Sequence, residues 1–361
     1  DATNNNVPQQ QTSEQKIINT TENAYDNTLL VKLHAYTDTF ALEIDGEDID
    51  CRPLFSAGNT PEATLKSEEL YRWWALSLDN GDDIAKLAKR VAEDERVQYV
   101  EFNERLEHIG EDYSGEEAGG HVATRATQAE MPFNDEYLCE QWHYYNDGKV
   151  YGDVSSDHTP GADINLFPAW KYCTGDNRVI VAVIDGGVKY NHPDLAANMW
   201  VNQKELSGAQ GVDDDGNGVV DDIYGINTIT NDGNITWNAD GDVGHGTHVA
   251  GTVAAVNNNG VGVAGVAGGS GNGDGVRIMS CQIFSGVETS GAVGAARAAM
   301  YAADNGASIL QNSWGYPEYA FASDAEYSKA YSVEYDAFQY FASKSNCSAM
   351  KGNVLIFASG N

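Results

Sequence analysis

Two side chains in this 361-residue sequence have the types and settings needed for proton transfer. Asp185 closes the apolar run Val179-Ile180-Val181-Ala182-Val183-Ile184 and precedes Gly186-Gly187, while His245 stands in Gly244-His245-Gly246-Thr247-His248-Val249-Ala250-Gly251. A carboxylate at the end of a buried strand can hold the Nδ1–H of an imidazole and stabilise the imidazolium formed when the ring takes a proton from a nucleophile. Taken alone, an Asp before two glycines is a turn residue; the histidine motif downstream shifts the reading to catalysis. His245 and His248 compete for the role of base. Glycines on both sides clear space around the His245 ring at a helix start, whereas His248 falls one turn further in, a place suited to a structural histidine. No serine motif follows the pair, so acid and base stand without a nucleophile.

An independent signal lies in Asp213-Asp214-Asp215-Gly216-Asn217-Gly218-Val219-Val220-Asp221-Asp222. With Asp213 as position 1, Asp215 falls at 3, Asn217 at 5, Gly218 at 6, the Val219 carbonyl at 7 and Asp221 at 9, the register of a calcium-binding loop. Tyr224 occupies position 12 in place of a bidentate Glu, so the loop is EF-like without being a complete EF-hand, and Asp222 is the candidate for the missing ligand. The competing reading is a solvated acidic turn. Ca2+ is therefore the expected cofactor, on Asp213, Asp215, Asn217, Val219, Asp221 and Asp222.

The elements that must position these residues follow from hydrophobic patterning. From residue 133 onward, continuous apolar runs at 179–184, 278–284, 308–311 and 354–358 alternate with helical segments at 245–256, 291–304 and about 325–343. Unbroken apolar strands spaced by helices predict an α/β fold with a parallel sheet flanked by helices, and Asp185 then sits at the carboxyl end of a strand, where such sheets carry their active groups. The run 354–358 reads as a strand suited to burial, yet nothing after it in this sequence covers it or continues the sheet, so an exposed apolar edge is expected. Before this region, a strand-like run at 28–36, a helix through Ile84, Leu87, Ala88 and Val91 behind Asp82 and Asp83, and an alternating strand at 96–102 predict a small α+β domain. Residues 1–27, rich in Asn, Gln and Thr, read as a flexible leader, and the Gly- and Glu-rich stretch 110–132 reads as a linker. The predicted division is 1–27, 28–109, 110–132 and 133–361.

The chain carries 21 Lys and Arg against 54 Asp and Glu, a formal charge of −33. Such acidity argues against nucleic acid and anionic membranes as partners and for cations; the competing reading is that it only keeps a secreted protein soluble. No apolar stretch approaches a membrane span. Five cysteines without metal-ligand spacing permit two disulfides and demand none.

Together these residues resemble the subtilisin-like serine proteases. The resemblance rests on Phe133-Asn134-Asp135 with Gln141-Trp142, Phe167-Pro168-Ala169-Trp170, the strand leading to Asp185, His192-Pro193-Asp194-Leu195, the His245 motif, Gly262-Val263-Ala264-Gly265-Val266-Ala267, Asn312-Ser313-Trp314-Gly315 and Ser359-Gly360-Asn361, all in family order. It implies Asp185 as orienter, His245 as base and Asn361 as oxyanion donor, with Ser313, Trp314 and Gly315 as the substrate-binding edge. The family usually has Ser or Thr where Gly186 stands, which removes one hydroxyl that would support the carboxylate. A further calcium site on Asp194 with Asn258 or Asn259 is also implied. Residues 28–109 resemble the family's propeptide, a folding chaperone and inhibitor. The function so implied is that of a secreted or cell-envelope, calcium-binding serine endopeptidase in its proenzyme form, or an N-terminal fragment of one. It acts on polypeptides through an acyl-enzyme on a serine outside this chain, and a second polypeptide carrying that serine is expected. The rival reading is a non-catalytic pseudoprotease used for calcium-dependent binding or assembly.

Overall fold

The computed structural model describes residues 11–58, 60–77, 83–108, 131–148, 159–239, 244–316 and 321–359, and the chain divides into two compact units. The first draws on residues 1–105, 291–296 and 318–337. Its elements are α1 (Ser13–Lys16), β1 (Ala24–Leu33), β2 (Leu42–Ile44), β3 (Glu47–Pro53), α2 (Glu62–Ser67), β4 (Trp73–Ser77), α3 (Ile84–Ala92) and β5 (Val97–Glu104). The strands form one antiparallel sheet in the order β2-β3-β4-β1-β5.

Alternation along β1 sends Leu29, Val31 and Leu33 to one face. There they meet Trp74, Leu76, Val100 and Phe102, and α3 closes the layer with Leu87, Ala88, Val91 and Ala92. Removing these aliphatic and aromatic groups from water is what holds helix to sheet. The helix starts at Ile84 because Asp83 Oδ1 accepts the N–H groups of Ala85 and Lys86, each at 3.1 Å, satisfying two donors that a first helical turn leaves open. Asp82 lies outside the described residues, as does most of the stretch read as a linker. β1 begins at Ala24, inside the segment read as leader, and α1 precedes it. Ile17 and Ala24 pack against the core, two contacts that the surrounding polar composition conceals.

The other face of this sheet buries polar groups beside Leu30 and Trp73. Lys32 is buried, with its Nζ 2.6 Å from Glu69 Oε2 and 2.7 Å from Asp336 Oδ2, and Trp73 Nε1 donates to the same Asp336 oxygen at 2.8 Å. Backbone N–H groups near two helix starts point at β5: Val333 N donates to Glu101 Oε2 at 3.1 Å and Val293 N to Asn103 Oδ1 at 3.2 Å. Burial pushes the Glu101 carboxyl well above the usual carboxylate range, with Glu334, Glu104 and Asp336 adding to the rise. A carboxyl whose folded pKa is raised contributes stability that is fully present below its unfolded value, about 4.3, and is lost as pH rises through the folded value. Glu101→Gln should therefore flatten the decline in melting temperature above pH 4.3, with the variant melting higher than the parent at pH 7. Parallel melting curves across this range would show that Glu101 is ionised in the fold.

The second unit, residues 106–290, 297–317 and 338–361, is built on a parallel sheet. Along the remaining chain run β6 (Glu107–His108), α4 (Leu166–Ala169), β7 (Ile180–Gly186), α5 (Gln203–Ser207), β8 (Gly225–Asn227), α6 (His245–Ala254), β9 (Arg277–Ser285), β10 (Glu288–Thr289), α7 (Gly291–Asp304), β11 (Ile309–Asn312), β12 (Trp314–Gly315), α8 (Asp324–Ala330), α9 (Ser332–Ala342) and β13 (Val354–Phe357). The sheet order is β10-β9-β7-β11-β13 with β8 also on β9, and every pair is parallel except β10 with β9. Small residues let helices approach closely. Ala250 and Ala254 of α6 share one buried cluster with Val181 and Val183 of β7 and Ile278 of β9. Ala298, Ala299, Ala302 and Ala303 of α7 are likewise buried.

The α/β architecture expected from the apolar runs is thus present. One detail differs. The helix expected over 325–343 is broken at Tyr331, whose φ of −133° and ψ of 63° leave the helical region. β13 is an edge strand: among the described residues only β11 pairs with it, and Val354, Ile356 and Phe357 are between 43% and 47% exposed. All five cysteines are unpaired, and among the described residues no helix is long and apolar enough to cross a membrane.

Candidate active site

β7 delivers Asp185 to the carboxyl end of the parallel sheet, and its side chain is completely buried. The β7–β9 ladder shifts register between Asp185 and Gly186, and Gly186 N donates to Asp185 Oδ1 at 2.7 Å. α6 presents His245 as its first residue, entered through Gly244 in the left-handed region at φ 73°. His245 Nδ1 lies 2.7 Å from the same Asp185 Oδ1. With the proton on Nδ1, this bond fixes the tautomer and makes Nε2 the basic nitrogen. Asp185 Oδ2 has no hydrogen-bond partner among the described residues, beside the position where Gly186 brings no hydroxyl.

Glycine at 246 is a requirement of this approach. A Cβ there would fall 2.2 Å from the Gly186 carbonyl oxygen and 3.2 Å from Asp185 Oδ1. Thr247 Oγ1 accepts from Lys189 N at 2.9 Å and fastens the turn after β7 to α6. His248 is exposed, and the pKa of His143 is lowered by burial and further by the charge of His248. The structure brings His245, not His248, to the carboxylate.

A third imidazole stands beside the pair. β6 forms an antiparallel ladder with β12, Glu107 opposite Gly315 and His108 opposite Trp314. His108 packs against Phe284 with ring centroids 4.0 Å apart and the planes tilted by 34°, and meets the His245 ring edge-on at 4.9 Å. Its Nδ1 is 4.0 Å from Asp185 Oδ1. Leu106, just before this strand, is buried. Sequence reasoning missed His108; no motif surrounds it, and its place near the end of the 28–109 stretch was the sole clue. Of the residues read as a substrate edge, Trp314 and Gly315 carry this ladder, while Ser313 Oγ accepts from Gln311 Nε2 at 2.6 Å. Asn361 lies outside the described residues.

The acidic loop gathers a different set from the one its spacing suggested. One ligating oxygen each from Glu205, Asp213 and Asp215 lies within 4.8 Å of the others. Glu205, contributed by α5, is buried; its Oε1 accepts from Asp214 N and Asp215 N, and its Oε2 from Asp221 N. Asp213 is held by the N–H groups of Gly216, Asn217 and Gly218, which lower its pKa against the opposing effect of burial. Asp221, with φ 54°, turns its carboxylate to Gly211 N. Asn217 Nδ2 donates to Asp222 Oδ2, which also accepts from Tyr301 at 2.5 Å, and burial raises Asp222 to about 6. Among the described residues no Lys or Arg pairs with Glu205, Asp213 or Asp215. Three clustered carboxylates, one of them buried, are a hard-oxygen donor set that fits Ca2+. Sequence spacing missed Glu205 because it precedes the loop rather than ending it.

The second expected calcium position holds a hydrogen-bonded cluster. Asn259 Nδ2 donates to Asp194 Oδ1 at 2.7 Å, while Asp135 accepts from Asn258 N and Asn259 N. Burial raises the pKa of both carboxyls.

The sequence profile of the subtilase family matches residues 176–361, and the chain belongs to that family of serine proteases. It is 34% identical over 232 residues to subtilisin-like protease 1 of Plasmodium vivax, covering 63% of this chain and 32% of that protein. Over 191 residues it is 34% identical to an extracellular protease of Xanthomonas campestris pv. campestris, covering 50% of this chain and 25% of that one. The chain thus spans about a third or less of the length of these relatives. Among solved structures, fervidolysin from Fervidobacterium pennivorans, a keratinolytic enzyme related to subtilisin, superimposes with a TM-score of 0.52 at 18% identity, covering 96% of this chain and 41% of that one. That similarity is one of fold.

Proposed function

We propose that the chain is the inhibited precursor portion of a secreted, calcium-binding serine endopeptidase, with residues 28–109 as its propeptide. The observation that carries this reading is the 2.7 Å bond from His245 to buried Asp185, with the chain's own Glu107–His108 strand laddered on Trp314–Gly315 beside it. In the complete protein His245 Nε2 takes the proton of a serine hydroxyl supplied from outside these 361 residues as that oxygen attacks a peptide carbonyl. Asp185 stabilises the imidazolium, and the ring then protonates the leaving amine. Asn361 is assigned the role of oxyanion donor. The edge at Ser313, Trp314 and Gly315 accepts an extended polypeptide by strand addition, as it accepts residues 107–108 here.

The test is reaction of the nucleophile-bearing protein with a serine-directed fluorophosphonate. Labelling at one site outside residues 1–361, lost together with peptidase activity in His245→Ala, is expected. A folded complete protein that neither labels nor cleaves peptides would overturn the proposal in favour of a binding-only role. As a further expected result, residues 28–109 added in trans to the processed enzyme should slow peptide hydrolysis in a saturable way; unchanged rates at all concentrations would remove the inhibitor role.

Calcium is assigned to Glu205, Asp213 and Asp215. When bound, it neutralises mutually repelling carboxylates and ties α5 to the loop. A ligand bound only by the folded state stabilises by mass action, about 2.7 kcal/mol at a hundredfold excess over Kd. Melting temperature should rise with calcium and fall with chelator, and Glu205→Gln or Asp215→Asn should abolish most of the response. Retention of the parent's response in both variants would place the ion elsewhere.

A further inference from the structure

His108, Asp185 and His245 present one ligating atom each within 4.8 Å of one another. Two imidazoles and a carboxylate at this spacing form a different donor set from the acidic loop. Nitrogen donors select borderline ions such as Zn2+, while the carboxylate supplies charge. The set is held in place by neighbours: the β6–β12 ladder fixes the His108 backbone, Phe284 packs against its ring, and α6 fixes His245. The fully buried Asp185 also keeps Oδ2 without a hydrogen-bond partner among the described residues. A buried carboxylate oxygen left so is costly, and a cation held through Oδ1 would ease that cost by neutralising the carboxylate to which it belongs. Zinc bonds of about 2.0–2.2 Å place tetrahedral ligands roughly 3.4 Å apart. The 4.0 Å separation of His108 Nδ1 from Asp185 Oδ1 must close, and the 2.7 Å separation from His245 Nδ1 must open, each by less than an ångström.

We propose that His108, Asp185 and His245 form a site for Zn2+ or a similar borderline divalent ion, assembled only while residues 107–108 are laddered on Trp314–Gly315. Metal on His245 Nδ1 requires the proton there to move to Nε2, so the ring loses its hydrogen bond to Asp185 and Nε2, now an N–H, can no longer accept a proton. The occupied site would then hold the enzyme inactive until both metal and strand depart. This last consequence rests on the function proposed above; the site itself does not.

The experiment titrates the chelator-treated full chain with Co2+, read by visible d–d absorption. One equivalent should produce bands of a low-coordinate nitrogen-oxygen site, and Zn2+ but not Ca2+ should displace them. His108→Gln, at an exposed position, should weaken binding at least tenfold, and His108→Cys should restore it with an added near-ultraviolet thiolate band. Asp215→Asn should leave the spectrum unchanged, separating this site from the acidic loop. Absence of the bands, or equal affinity in parent and His108→Gln, would overturn the site. A separate arm follows release of residues 28–109 from the nucleophile-bearing protein with and without Zn2+. If the cobalt site is present but release is insensitive to Zn2+, the metal site stands and the inhibitory role of this strand fails.

Discussion

Asp185→Asn should lower kcat of the nucleophile-bearing protein by about 10⁴-fold with little change in KM, a loss of the size seen when this position of a Ser-His-Asp triad becomes an amide. The reason is local. Asp185 Oδ1 is the shared acceptor for Gly186 N and His245 Nδ1, each at 2.7 Å. An asparagine must put its single carbonyl oxygen there to keep both bonds, and its neutral amide then no longer stabilises the imidazolium. If it rotates, its NH2 favours the wrong tautomer of the base. His245→Ala should cost more, about 10⁶-fold, because the base itself is gone. Steady-state kinetics on a peptide substrate, with circular dichroism as a check on folding, decide the matter. A variant within tenfold of the parent would show that Asp185 does not orient the base.

The second large effect comes from a methyl group. Gly246→Ala puts a Cβ 2.2 Å from the Gly186 carbonyl oxygen, a distance real Cβ atoms do not tolerate, and both partners are backbone of packed elements. α6 must retreat from β7 by about 1 Å, and a displacement of that size at reacting groups costs on the order of 10²-fold in rate. Overpacking should also destabilise the fold by about 1–3 kcal/mol. Gly251→Ala, in the same helix with nothing within 4 Å of the added methyl, is the control and should gain up to about 1 kcal/mol from helix propensity. Equal melting temperatures and rates for the two variants would contradict the packing described here.

Much of this architecture could be read from the residues because β7 is a nearly continuous apolar run, β9 is mostly apolar, and each motif spans a few neighbours. Asp185 and His245 were legible for that reason: one ends such a run, and the other is marked by the glycines that its helix start needs. What escaped depends on side chains brought together from distant positions. Glu205 joins Asp213 and Asp215 from a preceding helix, so a spacing rule written for a single loop could not include it. His108 reaches Asp185 by a two-residue strand too short to carry a pattern. Asp221 fits the calcium register in sequence, yet a left-handed backbone turns its carboxylate to Gly211. The break at Tyr331 is a backbone event with no Gly or Pro to announce it.

The face of the antiparallel sheet that buries polar groups has a consequence for folding kinetics. Its strands all lie within the first 105 residues, but Trp73 finds its acceptor 263 positions away, Glu101 its donor 232 away and Asn103 its donor 190 away. Loop closure over such spans must precede any reward from the contacts, which slows the steps that depend on them. A growing chain can assemble the sheet and its helix early, then carry Lys32, Trp73 and Glu101 solvated until residues 291–337 have been synthesised. Completion of this unit therefore waits for residues 291–337, although every strand of its sheet precedes them in the chain.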